Sequence, residues 1–541
     1  VLAIVALALA LRLWGVADAW STHEWSGEFG AYATGTPARN FLEHGFLDSF
    51  GVPVQTRIEL ADGSVLRQYY LHHPPTYMWF AGLFLWLFGP VEWGLRLLAV
   101  FGSTAAAVAG YWFARRAVGE RAALVGACVW IAAPYGLRDG LQLWTEVPIA
   151  GTSAMALLAY LRWLDGRERR RLVELCLWYG AGCALDWPAH FYGPVFALHA
   201  LALAAARRDR GLLVAPLALF ATSLASIAAV GLHFLLVVGR ERLAHDFEQA
   251  LGSASGAGEQ SWWRSVTAPG FLAHQVDGWW HALTTPGVLL LLVGLAALPF
   301  VRRPARERSL LALALLPGAI YVLLFPGRSA NHLFFLSISL PAFGALVGLG
   351  AESLARGLQG LAGAVRATRS LRHVEVACAG LAALAVVVAG IATHAHFRAR
   401  TADDLLRRLV NEPALAEVLA DPRAVVLAQP GRGAWLGFHS RAPVWMRMIS
   451  ATQLPALVES ELTRLEPDRR AYVFVDLTAW QHPLLPEEQR EHFRAATLDF
   501  EAAVASISEA TVFEIVDDMG LTSRFGLYRL PTGGTPLEGP P

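Results

Sequence analysis

The chain of 541 residues is 55% hydrophobic and only 16% charged, and its 44 basic residues balance 44 acidic ones. So apolar a chain has too little polar surface to cover a soluble globule of this size, and the composition is that of a polytopic membrane protein. Every basic residue is Arg, and with no net charge the chain carries no nucleic-acid footprint.

In chain order, the apolar stretch at about 1–16 reads as a membrane span already cut short, not as a cleaved signal, because no small-residue cleavage site precedes the acidic loop. A polar, acidic segment from Trp20 to Leu71 follows, and His72-His73-Pro74-Pro75 closes it. The next apolar run, Thr76 to Gly89, holds only about 14 residues against the roughly 20 needed to cross the hydrocarbon, so it is expected to lie at the membrane surface beside an aqueous cavity. Runs of spanning length follow at 93–114, 121–137, 147–164, 172–185, 188–206, 212–239, 285–301, 309–325, 333–354 and 374–395, about eleven spans with the first. The longer loop 240–284 carries Trp262, Trp263, Trp279 and Trp280, read as interfacial anchors. Beyond His396 the composition becomes that of a soluble domain. Ala424–Ala428 and Ala471–Val475 have the pattern of buried strands, 402–420 and 486–507 have helical periodicity, and the Gly/Pro-rich tail from Pro531 is expected to be disordered. The domains are therefore drawn at 1–397 and 398–541, and no internal repeat is visible.

The arginines orient these spans. With 76–89 kept out of the membrane, alternate loops hold Arg115, Arg116 and Arg121, then Arg162, Arg167 and Arg169 to Arg171, then Arg207, Arg208 and Arg210, then Arg302, Arg303, Arg306 and Arg308, then Arg356, Arg366, Arg369 and Arg372. The positive-inside rule makes those loops cytoplasmic and sets the first loop and the C-terminus outside. That orientation gathers polar residues not used to derive it: Glu24, Glu28, His72, His73, Asp139, Glu146, Asp186, Arg328, Asn331 and His332 all fall at the outer ends of spans. Each has a simpler reading, Glu146 and Asp186 as helix caps in particular. Their convergence points to a cavity, since ionisable groups at membrane depth are costly and normally face water or a partner. The four cysteines lie in apolar runs without metal or redox spacing and read as small buried hydrophobes.

Such a set suits transfer from a phosphate-linked donor. A carboxylate serves as general base on an acceptor hydroxyl or amine. Arg328 and His332 neutralise the phosphate as it leaves. A polyprenyl tail lies against apolar helices among the membrane lipids, and no phosphate-cradling Gly loop of the nucleotide-binding type is present. The alternative is a multi-span transporter or lipid flippase without transferase activity; transporters show repeated halves and broken helices near the midplane, whereas these polar residues gather at one face.

Several blocks recur in a known order: Arg12-Leu13-Trp14-Gly15; Glu28-Phe29-Gly30-Ala31-Tyr32-Ala33 followed by Ala38-Arg39-Asn40-Phe41-Leu42; His73-Pro74-Pro75 with Tyr77 and Leu87-Phe88-Gly89; Gly94-Leu95-Arg96; Thr145-Glu146-Val147-Pro148; and His332 with Pro341. Over roughly residues 1–350 this resembles the lipid-dependent GT-C glycosyltransferases, in particular the protein O-mannosyltransferase and lipid A aminoarabinose transferase group. The resemblance implies an all-α polytopic membrane fold with interfacial helices in the first outer loop, joined here to a small C-terminal α/β domain. It also implies a polyprenyl-phosphate sugar donor, a lipid, glycan or protein acceptor, and a site on the outer side of the cytoplasmic (inner) membrane. The family's base is an acidic first-loop residue, commonly the Asp of an Asp-Glu pair. This chain has Glu at both matching positions: Glu28 fits by its spacing to Tyr32-Ala33 and Glu24 by its distance from the first span, so a catalytically dead relative stays open. Glu146, with Asp139 nearby, falls on the family's second acidic position. Some members bind a divalent metal, but the carboxylates and His72 or His73 show no recognised metal signature, and no cofactor is assigned.

Overall fold

The computed structural model describes residues 1–14, 30–255, 269–326 and 333–364, and from the C-terminal part chiefly 411–428, 443–446, 468–476, 509–516 and 522–530, with shorter pieces between. Two compact units result. The first comprises Val1–Ala17, Leu71–Tyr77 and Arg96–Arg398, and the second Asp18–Tyr70, Met78–Leu95 and Ala399–Pro541.

The first unit is helical. Among the described residues seven helices are long and apolar enough to cross a membrane: Glu92–Ala117, Glu146–Gly166, Trp187–Arg207, Arg210–Val238, Leu283–Phe300, Ala305–Leu324 and Leu336–Gln359. They fall on seven of the predicted spans. Three others are shorter helices, Leu2–Leu13, Glu120–Ala132 and Arg169–Leu185, and 374–395 lies largely outside the described residues. Glu120–Ala132 stops where it does because Ala133 precedes Pro134 and takes an extended ψ of 147°.

One helix relates the polar ends. Glu146–Gly166 has 21 residues, about 30 Å at 1.5 Å per residue, the thickness of a hydrocarbon core. At its C-terminal end Asp165 binds Arg306 and lies 3.1 Å from Arg116, which also pairs with the buried Glu307 at 2.5 Å. Arg167, just beyond, pairs with Asp209 at 3.0 Å. Four of the five loops that the arginine pattern assigns to one side thus meet at one end of this helix, and Glu146 stands at the other.

The helices close on small residues. A Cβ on Gly126 would collide with the carbonyl of Gly344, one on Gly348 with that of Ala122, and one on Gly350 with that of Leu290. Backbones in such contact gain dispersion where lipid offers no hydrophobic drive between helices. Gly348→Leu is therefore expected to cost about 1–3 kcal/mol by overpacking. Gly357→Leu, on the same helix with open space at its Cβ, should cost almost nothing. Thermal midpoints of the two variants in detergent check this, and equal midpoints would remove the seam as a source of stability.

The second unit is built on a five-stranded sheet of order β4-β3-β5-β7-β6. Its strands are β3 (Ala424–Ala428), β4 (Val444–Met446), β5 (Arg470–Asp476), β6 (Glu509–Val516) and β7 (Thr522–Leu530). β4, β3 and β5 run parallel, and β7 and β6 add antiparallel pairs. The first loop contributes the helix Thr36–His44 and an antiparallel hairpin of β1 (Val54–Glu59) and β2 (Val65–Tyr69), which the helical expectation for that loop did not include. Ile58 and Leu60 of the loop share one core with Val425, Leu427, Val473, Val475 and Tyr528. Burying Ile58 alone stabilises this packing by about 1.5–3 kcal/mol. Polar links repeat the attachment: Thr56 Oγ1 donates to the Val444 carbonyl at 2.6 Å, and Arg39 Nη1 to the Phe438 carbonyl at 2.5 Å. On the hairpin, Arg67 hydrogen-bonds Asp48 at 2.9 Å and holds its carboxyl below the usual range.

The run after His-Pro-Pro is the helix Thr76–Phe88, 13 residues or about 20 Å, too short to span. Met78, Ala81 and Leu85 are buried, while Trp79, Phe80, Leu83, Trp86 and Leu87 are exposed. An apolar face left bare in this way fits the membrane-surface setting expected from its length.

Candidate active site

The polar cluster of the first unit forms where three chain segments end. Leu185 closes the helix Arg169–Leu185, and the extended Asp186 starts the short helix Trp187–Phe191, accepting the Trp187 N–H at 2.7 Å. Asp186 is a cap, then, but its carboxylate does more. It is fully buried, both oxygens lie 2.8 Å from His73 Nδ1, and it accepts a hydrogen bond from the Thr145 hydroxyl. Trp187 returns the contact by donating Nε1–H to the His72 carbonyl at 2.8 Å. The His-Pro-Pro block is thus held through side chain and backbone by residues 113 to 115 positions away. A buried carboxylate keeps company like this because each oxygen must be satisfied.

Thr145 joins this cluster to Glu146, which opens the long helix and is 97% buried, its residue exposure being 3%. Tyr77, one turn past His73, is buried beside it: desolvation pushes the phenol above its ordinary value, and the Glu146 charge adds to the shift. His190 stacks on Trp187 with ring centroids 6.0 Å apart and its Nδ1 lies 2.6 Å from Ser223 Oγ. At the same end of the helices, Gly140 packs against the guanidinium of the fully buried Arg12, whose Nε and Nη2 have no hydrogen-bond partner among the described residues.

The structure therefore brings together His72, His73, Glu146 and Asp186 from the predicted set. For Asp139 it describes the backbone, at the start of the turn Asp139–Leu141. Glu24, Glu28, Arg328, Asn331 and His332 lie outside the described residues, as do Trp262 and Trp263. Sequence reasoning gave no role to Thr145, Trp187, His190 or Arg12. The first two adjoin predicted residues, and that adjacency was the available signal; a lone Arg in the first apolar run was another.

Chemically, the Asp186–His73 pair fixes the orientation of the imidazole, and an imidazole held in this way is suited to meeting an anion or passing a proton. Asp186 and His73 supply two donors for a cation, and no third His, Cys, Asp or Glu completes a metal site with them among the described residues.

Residues 72–233, beginning at His72 and including His73, Glu146 and Asp186, match the sequence model of the dolichyl-phosphate-mannose-protein mannosyltransferase family. No curated protein matches the chain in sequence. In structure it is similar to ArnT from Cupriavidus metallidurans in the apo state, with 15% identity over 98% of this chain and 97% of that one and a TM-score of 0.58. The same protein bound to undecaprenyl phosphate also gives 0.58, at 14% identity over 98% and 97%. The archaeal oligosaccharyltransferase AglB from Archaeoglobus fulgidus, in complex with an inhibitory peptide and a dolichol-phosphate, gives 0.52 at 14% identity over 99% of this chain and 74% of that one. The fold of this chain is thus similar to that of ArnT and, less closely, of AglB. The family pattern covers residues 72–233, about three-tenths of the chain, and the seven long apolar helices are those of a multi-pass membrane protein.

Proposed function

We propose that this protein transfers a sugar from a polyprenyl-phosphate donor to an acceptor at the outer face of the cytoplasmic membrane. The observation that carries the reading is the match along nearly the whole chain to a protein whose structure holds undecaprenyl phosphate. A first-loop glutamate, Glu28 or else Glu24, takes the proton of the acceptor hydroxyl or amine as that atom attacks the anomeric carbon. The bond from that carbon to the phosphate oxygen breaks, and polyprenyl phosphate leaves with the electron pair. One base and one displacement suffice, so the transfer inverts the anomeric centre.

The remaining residues have electrostatic and positioning roles. Arg328, His332 and the buried Arg12 balance the charge of the leaving phosphate, and Asn331 hydrogen-bonds it or the sugar. Asp186 holds His73 against the donor or acceptor, while Glu146 and Asp139 line the cavity. The exterior placement rests on the arginine-bearing loops, four of which meet at the end of Glu146–Gly166 opposite this cluster.

Purified protein in vesicles, given a polyprenyl-phosphate sugar and envelope lipid or glycan acceptors, is expected to release polyprenyl phosphate in step with glycosylated product, both read by mass spectrometry. Movement of the lipid across the bilayer without product would replace this reading with that of a flippase.

A further inference from the structure

The second unit contains a cleft of about 280 Å³ between the first-loop elements and the C-terminal sheet. Two of its lining residues are polar and buried without full partners: Gln55 is 3% exposed and Thr36 4%, and Gln55 Nε2 and Thr36 Oγ1 have no hydrogen-bond partner among the described residues. Buried polar atoms of this kind normally signal a group that belongs there. The backbone around them is fixed, since Asn40 donates to the Val54 and Gln55 carbonyls at 2.6 and 3.1 Å.

The charge of the lining gives the ligand's sign. Arg39, Arg57, Arg441 and Arg469 face two carboxylates, Glu43 and Glu59. Both carboxylates are already engaged, Glu43 by Arg39 at 2.6 Å and Glu59 by Arg57 at 2.7 Å. Arg441 is exposed and has no carboxylate partner among the described residues. The lining thus offers positive charge together with an amide N–H and a hydroxyl, and its only apolar members are Pro422, Pro443 and Val444. An acyl chain would find no wall here. The size lies at the lower edge of small-ligand sites, enough for one sugar ring with its substituent.

We propose that this cleft binds a small anionic sugar, bearing a phosphate or carboxylate, from the aqueous phase. The anion lies among Arg57, Arg441 and Arg469, and the sugar hydroxyls take Gln55 Nε2 and Thr36 Oγ1. The site belongs to the second unit alone and does not depend on the transfer reaction proposed above.

The test is titration of the full-length protein in detergent, without donor lipid, using mannose 6-phosphate, mannose and inorganic phosphate as probes in a calorimeter. Mannose 6-phosphate should bind saturably, and each of the other two at least about tenfold more weakly, as expected when one half of the hydrogen bonds or charge is missing. Gln55→Glu, which keeps shape and adds a negative charge, should weaken mannose 6-phosphate by about tenfold or more in a protein that still unfolds cooperatively. Should that variant fail to fold, Arg441→Glu at the exposed rim carries the same expectation. No binding of mannose 6-phosphate, equal binding of mannose or of inorganic phosphate, or parental binding by the folded variant would overturn the proposal.

Discussion

Asp186→Asn is expected to lower transfer by about 100-fold, the loss that follows when a reacting group is misplaced by roughly 1 Å. The carboxylate meets only donors: the His73 imidazole at 2.8 Å, the Trp187 N–H at 2.7 Å and the Thr145 hydroxyl. An amide keeps one accepting oxygen and turns an NH₂ toward the others, at a side chain that is fully buried. Folding should lose about 1–3 kcal/mol, since a buried donor is left unmade. The fall should appear in kcat at temperatures well below the shifted melting point. Full parental turnover by a folded Asp186→Asn protein would reduce the cluster to a structural tie between the His-Pro-Pro block and the helix end.

A larger effect is expected in the first loop. Glu28→Gln removes basicity and almost nothing else, and loss of a general base slows transfer by about 10²–10⁴-fold. Glu24→Gln, made beside it, should show the smaller loss. The assay is initial rate with a polyprenyl-phosphate sugar in membranes; if both variants keep full activity, neither glutamate is the base. Binding of the donor lipid should survive in Glu28→Gln, which separates a lost proton acceptor from a lost fold.

Much of the membrane part was legible because run length is a direct reading of hydrocarbon thickness. The apolar stretch after Pro75 is too short to span, and the structure makes it a 13-residue helix with a bare apolar face. Strands β3 and β5 were likewise visible as uninterrupted apolar runs. The hairpin of the first loop was not, because Gln55, Thr56, Arg57 and Glu59 hide the inward Ile58 in a polar segment. Its turn did leave a signal, Asp62-Gly63 with Gly63 at φ 78°, a pair that favours hairpins. Pairings at long range left none. That His72, His73, Glu146 and Asp186 share one end followed from orientation, but nothing in the spacing says that His73 meets Asp186 across 113 residues. The arginine-lined cleft is more extreme, since residues 36–59 carry nine of its lining residues and residues 422–469 the other six.

The attachment of the first loop to the C-terminal sheet sets a clock on biosynthesis. Thr56 waits for Val444, 388 residues later, and Arg39 for Phe438, 399 residues later. At roughly 5–20 residues per second, the ribosome needs about 20–80 s to supply those partners. Through that interval Ile58 and Leu60 lack the strands that bury them, so the segment bearing the proposed glutamates matures among the last parts of the chain. A ribosome that stops short of β3 would leave a full set of the described membrane-spanning helices and an unfinished enzyme.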